Sequence, residues 1–263
     1  ARKPPPPPRL VRGRSTREVS CAVARAGGGA PMGVRLLAFT AAAGASDAVL
    51  ARLDALGAEK RPGRWRTHAL YLHPRNEAHG LSDLFMVHFD EQPHAQYLIS
   101  GGDGSGKVVM EAGAEMVGIV ERVRGHAQRL KVTAEGSVHR CGDFTVRLGP
   151  LYLNESSSGT CCEVEYLPCS EAKGGGGLLR DFLLLLLPPS ARDAWRSEAS
   201  CLEASPALPL LFGHEHAACQ FVSLMRARLL NGPRQQARGE GRGLNGSQQG
   251  RGPAGTKRGR GEL

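Results

Sequence analysis

Aromatic residues are scarce in this chain of 263 residues, because Phe, Trp and Tyr together make up only 5% of it. Surfaces that bind single-stranded nucleic acid stack bases on aromatic rings, so this scarcity argues against such a surface. Long apolar runs are missing too. The leucine-rich run Phe182–Leu187 ends at two prolines and is far shorter than the roughly 20 residues that cross a bilayer. We therefore expect no contact with a membrane and interpret the run as part of a buried helix.

Paired cysteines are also lacking. The seven cysteines include no C-x-x-C pair, and an odd count does not complete a disulfide framework. Cys161 and Cys162 are neighbours on a predicted strand, so their side chains point to opposite faces and are not expected to bind one metal together. Reduced thiols of this kind are typical of the cytosol or nucleus.

The excess of positive charge is confined to the two ends of the chain. Residues 1–31 carry a net charge of +6 and residues 231–263 one of +5, so the total of +9 leaves −2 for residues 32–230. Residues 1–31 are rich in proline and arginine, as in a disordered tail or an organelle-targeting peptide. We predict one folded domain over 32–230 between two disordered tails, without direct DNA binding by that domain. Weak RNA binding by the glycine–arginine tail is an alternative.

The stretch GGDGSGKVV, residues 101–109, has the spacing of a phosphate-binding loop, with Gly101, Gly106 and Lys107 in place. Such a loop needs Ser or Thr after the lysine to bind Mg²⁺, and a helix must follow to face the phosphate. Val108 takes the hydroxyl position instead, and β-branched residues follow it. We therefore predict a hairpin turn between two strands.

Alternating apolar and polar residues predict that most of the domain is antiparallel sheet. In residues 129–136, for example, Leu130, Val132 and Ala134 share one face. About eight such strands with short connections favour a closed barrel, which leaves no edges. We predict an α+β fold, an antiparallel β-barrel of about eight strands with flanking helices. The first helix is predicted to begin at a Ser46 cap, and the last to run from about 216 to 230.

Two short motifs resemble metal sites. Glu163 and Glu165 are two apart on a predicted strand, so both carboxylates point to one side, as in tunnel-type triphosphatases that hold a divalent metal. Leu167 stands where those enzymes have lysine, and there is no second E-x-E, so we interpret the pair as a solvent-facing strand side. His214 and His216 would be about 200° apart on a helix, and we interpret them as a surface helix start.

Five segments in order resemble one family, subunit 20 of the Mediator complex of RNA polymerase II transcription, in its plant-lineage form. The similarity extends over about residues 32–230. The segments are LGAEK (56–60), PGRWRTHALYLHP (62–74), VVMEAGAEMVGIVERVRG (108–125), HRCGDFTVRLGPLYL (139–153) and SSGTCCEVEYLPC (157–169). The positions that carry the resemblance best are Gly142, Asp143, Phe144, Val146, Leu148, Val164 and Tyr166.

The resemblance implies a noncatalytic subunit of the head module that needs no cofactor. It implies a heterodimer with Mediator subunit 18, a tether through the C-terminal helix of subunit 8, and a nuclear scaffold that links regulators to RNA polymerase II. A tunnel-type triphosphatase that uses Glu163 and Glu165 is the alternative. The strand LSDLFMVHF (81–89) is apolar on both faces, so we expect Leu84 and Met86 to need cover from a partner or a flanking helix.

Overall fold

A computed structural model describes residues 32–76, 81–101, 107–199, 202 and 208–230. Both predicted tails lie outside this part of the chain. The predicted alternation of strands and helices is largely confirmed, and the helices run near the predicted positions. In chain order the elements are β1 (Val34–Thr40), α1 (Ala45–Ala55), β2 (Glu59–Pro74), β3 (Leu84–Phe89), β4 (Ala95–Ser100), β5 (Val108–Gly113), α2 (Met116–Val123), β6 (His126–Cys141), β7 (Phe144–Leu153), β8 (Ser156–Tyr166), α3 (Gly176–Leu186), a 3₁₀ turn (Pro189–Ala194), β9 (Arg196–Ser197), α4 (His214–Leu224) and a π-helical segment (Met225–Leu230).

The strands form one antiparallel sheet in the order β5-β4-β3-β2-β6-β7-β8-β1-β9. The predicted antiparallel α+β class is confirmed, but the predicted closure into a barrel is wrong. In the described residues β5 and β9 are the two ends of the sheet and do not pair with each other. The two strands predicted on either side of the glycine-rich stretch are confirmed as an antiparallel pair, because Ser100 pairs with Val108, and residues 102–106 between them lie outside the described residues.

Helix α4 explains why the sheet stays open. It contacts β1 near one end of the sheet and β3, β4 and β5 at the other, so it lies between the two halves of the curved sheet. Its Gln220 is fully buried. The Gln220 carboxamide accepts a hydrogen bond from the Leu37 N–H and donates one to the Arg35 carbonyl, both at 2.8 Å. A side-chain amide thus satisfies backbone groups of β1 that a further strand would otherwise pair with.

The two faces of β7, β8 and β1 pack against different helices. On one face, Phe144 stacks on Phe182 of α3 with ring centroids 3.8 Å apart. On the other face, a small apolar cavity of about 20 Å³ lies between Leu37, Phe39 and Cys161 of the sheet, Phe221 and Leu224 of α4, and Met225 of the π-helical segment. The cross-strand register shows which residues of these strands lie on each face. The α3 side carries Val34, Leu36, Ala38, Val146, Leu148, Cys162 and Val164, and the α4 side carries Arg35, Leu37, Phe39, Arg147, Cys161, Glu163 and Glu165.

The start of α1 differs from the prediction. The helix begins at Ala45 after Gly44, which has a φ of 71°, and no side chain caps it. Ser46 therefore lies inside the first turn and is not the cap. A glycine with positive φ reverses the chain there at no steric cost, which replaces the predicted hydroxyl. None of the helices in the described ranges has the length and hydropathy that crossing a bilayer requires.

Strands β6 and β7 approach each other unusually closely at two facing glycines. A Cβ added to Gly136 would meet the Leu148 carbonyl oxygen and lie 2.7 Å from the Gly149 Cα. A Cβ on Gly149 would meet the Glu135 carbonyl oxygen and lie 2.6 Å from the Gly136 Cα. Only glycine fits at either position. Gly149 lies on β7, the strand that also carries Arg147.

Candidate functional site

Glu163 and Glu165 lie on the α4 side of β8, and the structure buries both. They keep only 3% and 4% of their surface exposed. The prediction that they face solvent is therefore wrong, although the prediction that they share one side is confirmed. Two buried carboxylates 2 residues apart carry a large desolvation cost unless cations meet them.

Two arginines from the neighbouring strands meet these carboxylates. Arg147 on β7 pairs in register with Glu163, and Arg35 on β1 pairs in register with Glu165. One nitrogen of Arg147, Nη1, donates to Glu163 Oε1 at 2.7 Å and to Glu165 Oε2 at 2.8 Å. Arg35 lies 3.4 Å from each carboxylate. The other oxygen of Glu165, Oε1, accepts a hydrogen bond from the Gly33 N–H at 3.1 Å.

Glu91 and His214 complete the cluster from outside the three strands. Glu91 follows β3, and its carboxylate receives Arg35 Nη1 at 2.5 Å and Arg147 Nη2 at 3.3 Å. His214 begins α4, and its Nε2 lies 2.9 Å from Glu91 Oε1. We call these residues the ion cluster: Arg35, Glu91, Arg147, Glu163, Glu165 and His214. It joins five separate parts of the chain inside the curved sheet: β1, the turn after β3, β7, β8 and α4.

The electrostatics of the cluster favour its charged forms. Burial acts to raise the pKa of Glu91, but the hydrogen bond with His214 and the charges of Arg35 and Arg147 hold that pKa well below its usual range. Burial acts to lower the pKa of Arg35, but Glu163, Glu165 and Glu91 raise it above its usual value. The cluster has three carboxylates and two guanidiniums, so the carboxylates outnumber the cations by one. His214 donates a hydrogen bond to Glu91 and so contributes one more donor to these carboxylates.

This arrangement does not fit a divalent metal. A hard cation needs the lone pairs of several carboxylate oxygens. Here Arg147 already uses one oxygen of each of Glu163, Glu165 and Glu91, and the Gly33 N–H uses the second oxygen of Glu165. Lys131 is exposed on the other side of the sheet. The cluster can hold strands and helix together, and among the described residues no group of three or more His, Cys, Asp or Glu side chains is placed to hold a metal ion.

Little in the sequence alone indicates these partners. Arg35 stands alone in the apolar strand VRLLAF, and a single charge inside a buried strand was the one available signal. Glu91 lies in a turn and carries no such signal. His214 does begin a helix as predicted, but its side chain is only 15% exposed. His216 is buried, accepts a hydrogen bond from the Gly213 N–H and stacks on Phe212, so the two histidines do not meet and are not a surface pair.

The residues that carry the family resemblance lie together at one end of the β6–β7–β8 sheet. Gly142 turns the chain with a φ of 56°, and the carbonyl of Asp143 accepts a hydrogen bond from the Leu167 N–H at 3.1 Å. The remaining members face α3. Phe144 pairs with Tyr166, Val146 with Val164, and Leu148 with Cys162. These positions build the α3 side of the core.

Leu84 and Met86 lie on the face of β3 that points away from Phe85, Val87 and Phe89. Met86 keeps only 3% of its surface exposed, whereas Leu84 is half-buried. Of this pair, Leu84 offers more surface to a partner. Docking of a partner here stays a prediction.

Comparison with known proteins gives the chain its relatives. A family model described as "TATA-binding related factor (TRF) of subunit 20 of Mediator complex" matches residues 32–225. Mediator of RNA polymerase II transcription subunit 20b of Arabidopsis thaliana is 27% identical over 130 residues, which cover 47% of this chain. The match spans 58% of the length of that relative.

Solved structures are more distant. A protein from Pyrococcus horikoshii OT3 is 13% identical with a TM-score of 0.39, covering 64% of this chain and 96% of its own. A putative adenylyl cyclase from Hippeastrum, described as having a dominant triphosphatase activity, is 17% identical with a TM-score of 0.37, covering 66% of this chain and 93% of its own. Likeness this weak says nothing about function. The family is assigned by the match over residues 32–225. This chain belongs to the family of subunit 20 of the Mediator complex.

Proposed function

We propose that this chain is a noncatalytic subunit of the Mediator head module and acts in the nucleus as a coactivator scaffold between transcription regulators and RNA polymerase II. Family membership over residues 32–225 supports the assignment to Mediator. The ion cluster supports the noncatalytic part of the proposal. Its acidic side chains are engaged by Arg35 and Arg147 of the same chain and hold the domain together.

The proposed partners are Mediator subunit 18, as a heterodimer, and the C-terminal helix of subunit 8, as the tether to the rest of the head. The buried charges of the domain are paired among its own residues, so a partner is expected to bind the outer surface. Several large apolar side chains are available there, including Leu178, Leu185 and Leu210. Exposed apolar patches on soluble proteins commonly mark interaction sites.

Co-expression of the full chain with subunit 18 from the same source tests this proposal. Size-exclusion chromatography with light scattering should show a one-to-one complex, and addition of the subunit 8 helix should give a ternary one. A monomer that elutes apart from subunit 18 in every buffer contradicts the proposed heterodimer.

A tunnel-type triphosphatase is the second candidate, and one observation favours it. Two carboxylates and two arginines lie on one inner face of a curved sheet, the residue types that bind metal and phosphate in such enzymes. Phosphate release from inorganic triphosphate with Mn²⁺ tests it. We expect the wild type to match Glu163→Gln/Glu165→Gln at background level. Release by the wild type that this folded double variant lacks would establish the enzyme.

A further inference from the structure

The two edges of the sheet are finished differently. At the β1 end, β9 pairs with two residues of β1, and the Gln220 side chain binds two of its backbone groups. At the other end, β5 pairs with β4 alone in the described residues. One edge is covered by the chain's own groups, and the outer backbone groups of β5 are left for another strand.

The β5 edge lacks the usual protection against strand addition. Proteins commonly protect an edge with proline, a bulge or several charges. The pairing of β5 with β4 is continuous from Val108 to Gly113 without a register shift, so there is no bulge. The strand VVMEAG contains no proline and one charge, and its Val108 and Met110 are 53% and 52% exposed. Such an edge is a template for another strand.

The side chains of this edge form a pattern that is complementary to itself. Lys107 directly precedes β5 and Glu111 lies within it, so the two charges share one face of the strand with Val109 midway between them. Neither charge takes part in an ion pair within the described residues. Val108 and Met110 flank Val109 on the opposite face. Reversing the strand about Val109 therefore exchanges cation for anion and one apolar side chain for another.

A symmetric antiparallel pair of two β5 strands has its two-fold axis at one residue of the strand. With the axis at Val109, Lys107 of each copy lies opposite Glu111 of the other, and Val108 of each lies opposite Met110 of the other. An axis at Val108 sets Lys107 opposite Val109, and an axis at Met110 sets Glu111 opposite Val109. An axis at Glu111 sets two carboxylates against each other. One centre, Val109, satisfies every charge and every apolar side chain from 107 to 111.

We propose that this chain forms a symmetric homodimer in which two β5 strands pair edge to edge, antiparallel, with Val109 at the two-fold axis. The two nine-stranded sheets then become one continuous sheet. On one face, Met110 continues a cross-strand row from Met86 and Leu98, and Val108 of the second copy extends it. The inference concerns the free chain and goes beyond the scaffold proposal.

Charge complementarity is what favours a second copy over other occupants. Residues 231–263 of the same chain carry a net charge of +5 and are rich in glycine, arginine and glutamine, so they offer little to an apolar edge. A strand of a different protein fits if its own sequence carries a cation and an anion four residues apart around apolar residues. A second copy carries that pattern in every molecule.

Sedimentation velocity and hydrogen–deuterium exchange of the full chain over a range of concentrations test the inference. We expect a reversible monomer–dimer equilibrium, with outward-facing β5 amides that exchange at least about tenfold more slowly in the dimer. A monomer at every concentration, or a dimer without added protection of β5, overturns the homodimer and leaves the scaffold proposal standing. Protection already complete in the monomer overturns it in favour of the chain's own tail. Protection that only added subunit 18 produces overturns it in favour of a foreign strand.

Exchanging the two charges tests the register. Lys107→Glu and Glu111→Lys, made singly, set like charges opposite each other at both ends of the pair, so each should raise the dimer Kd at least about tenfold. The double variant Lys107→Glu/Glu111→Lys restores opposite charges and should return the Kd to within about threefold of wild type. A double variant that dimerises as weakly as the single variants overturns the register centred on Val109.

Lys173→Glu is the matched control for the charge change. Lys173 is exposed in the turn before α3, away from β5, and its substitution should change the dimer Kd less than about twofold. A loss as large as that of Lys107→Glu would assign the effect to net charge and overturn the pairing of Lys107 with Glu111. Circular dichroism checks that all four variants fold.

Discussion

Arg147 and Glu163 face each other across neighbouring strands, and the guanidinium donates to the carboxylate over 2.7 Å. The same nitrogen also reaches Glu165 at 2.8 Å. One buried cation therefore compensates two buried carboxylates. Removing one member of such a pair leaves an uncompensated charge, which costs more than the pair itself contributes.

Arg147→Met should lower the free energy of unfolding by about 3–5 kcal/mol, because Glu163 and Glu165 lose their closest cation. Arg147→Met/Glu163→Leu should recover part of that loss. Urea denaturation measures both. Arg61→Met is the control, since Arg61 and its partner Glu59 are 58% and 77% exposed and 3.9 Å apart, and it should cost less than about 1 kcal/mol. Equal losses for the two single variants would contradict the assignment of the cluster as a structural centre.

Gln220→Leu should destabilise the domain by about 2–5 kcal/mol, because the Leu37 N–H and the Arg35 carbonyl both lose their side-chain partner. The expected readout is a lower urea midpoint with an unchanged slope. Gln128→Leu makes the same change at an exposed position of β6 and should stay within about 0.5 kcal/mol of wild type. A neutral Gln220→Leu would show that the edge of β1 does not need α4.

Glu91 should make stability depend on acid pH. Its pKa in the folded chain lies below the ordinary value of 4.5, so it contributes stability above that pH and the contribution is lost as pH falls below it. Glu91→Gln should be less stable than wild type at neutral pH and should lose less between about pH 5 and 3. Urea melts at several pH values measure this. Glu111→Gln, at an exposed glutamate, should keep the wild-type profile.

Gly149→Ala should prevent normal pairing of β6 and β7, because the new methyl group meets the backbone of Glu135 and Gly136. We expect a loss of more than about 3 kcal/mol or an insoluble product. Gly118→Ala is the opposite case. Its methyl group meets nothing within 4 Å inside α2, so it should stabilise by about 0.5–1 kcal/mol. Thermal melts distinguish the two.

Local rules predicted the parts of this fold that depend on neighbours in sequence. The period of two placed Leu130, Val132 and Ala134 on one buried face, and the strands on either side of the glycine-rich stretch pair as predicted. Ser46 failed as a cap because Gly44 turns the chain by its backbone alone. The sequence around the start of α1 was compatible with either a serine cap or a glycine turn.

The remaining errors concern partners far away in sequence. Glu163 and Glu165 seemed to face solvent because their cations come from β1 and β7 and their last neighbour, Glu91, from a turn. Barrel closure was predicted because edges need cover, yet Gln220 and β9 cover one edge without closing the sheet. Apart from Arg147, which is 16 residues from Glu163, the members of these contacts are too far apart for one short window of sequence to contain both.

The hydrogen bonds between Gln220 and β1 also determine when the domain can fold during synthesis. Leu37 and Gln220 are 183 residues apart. At roughly 5–20 residues per second, a ribosome needs about ten to forty seconds to make the chain between them. Through that interval the apolar β1 has no strand or helix to cover it until β8 and α4 emerge. The nascent chain must therefore be kept from aggregating until nearly the whole domain has left the ribosome.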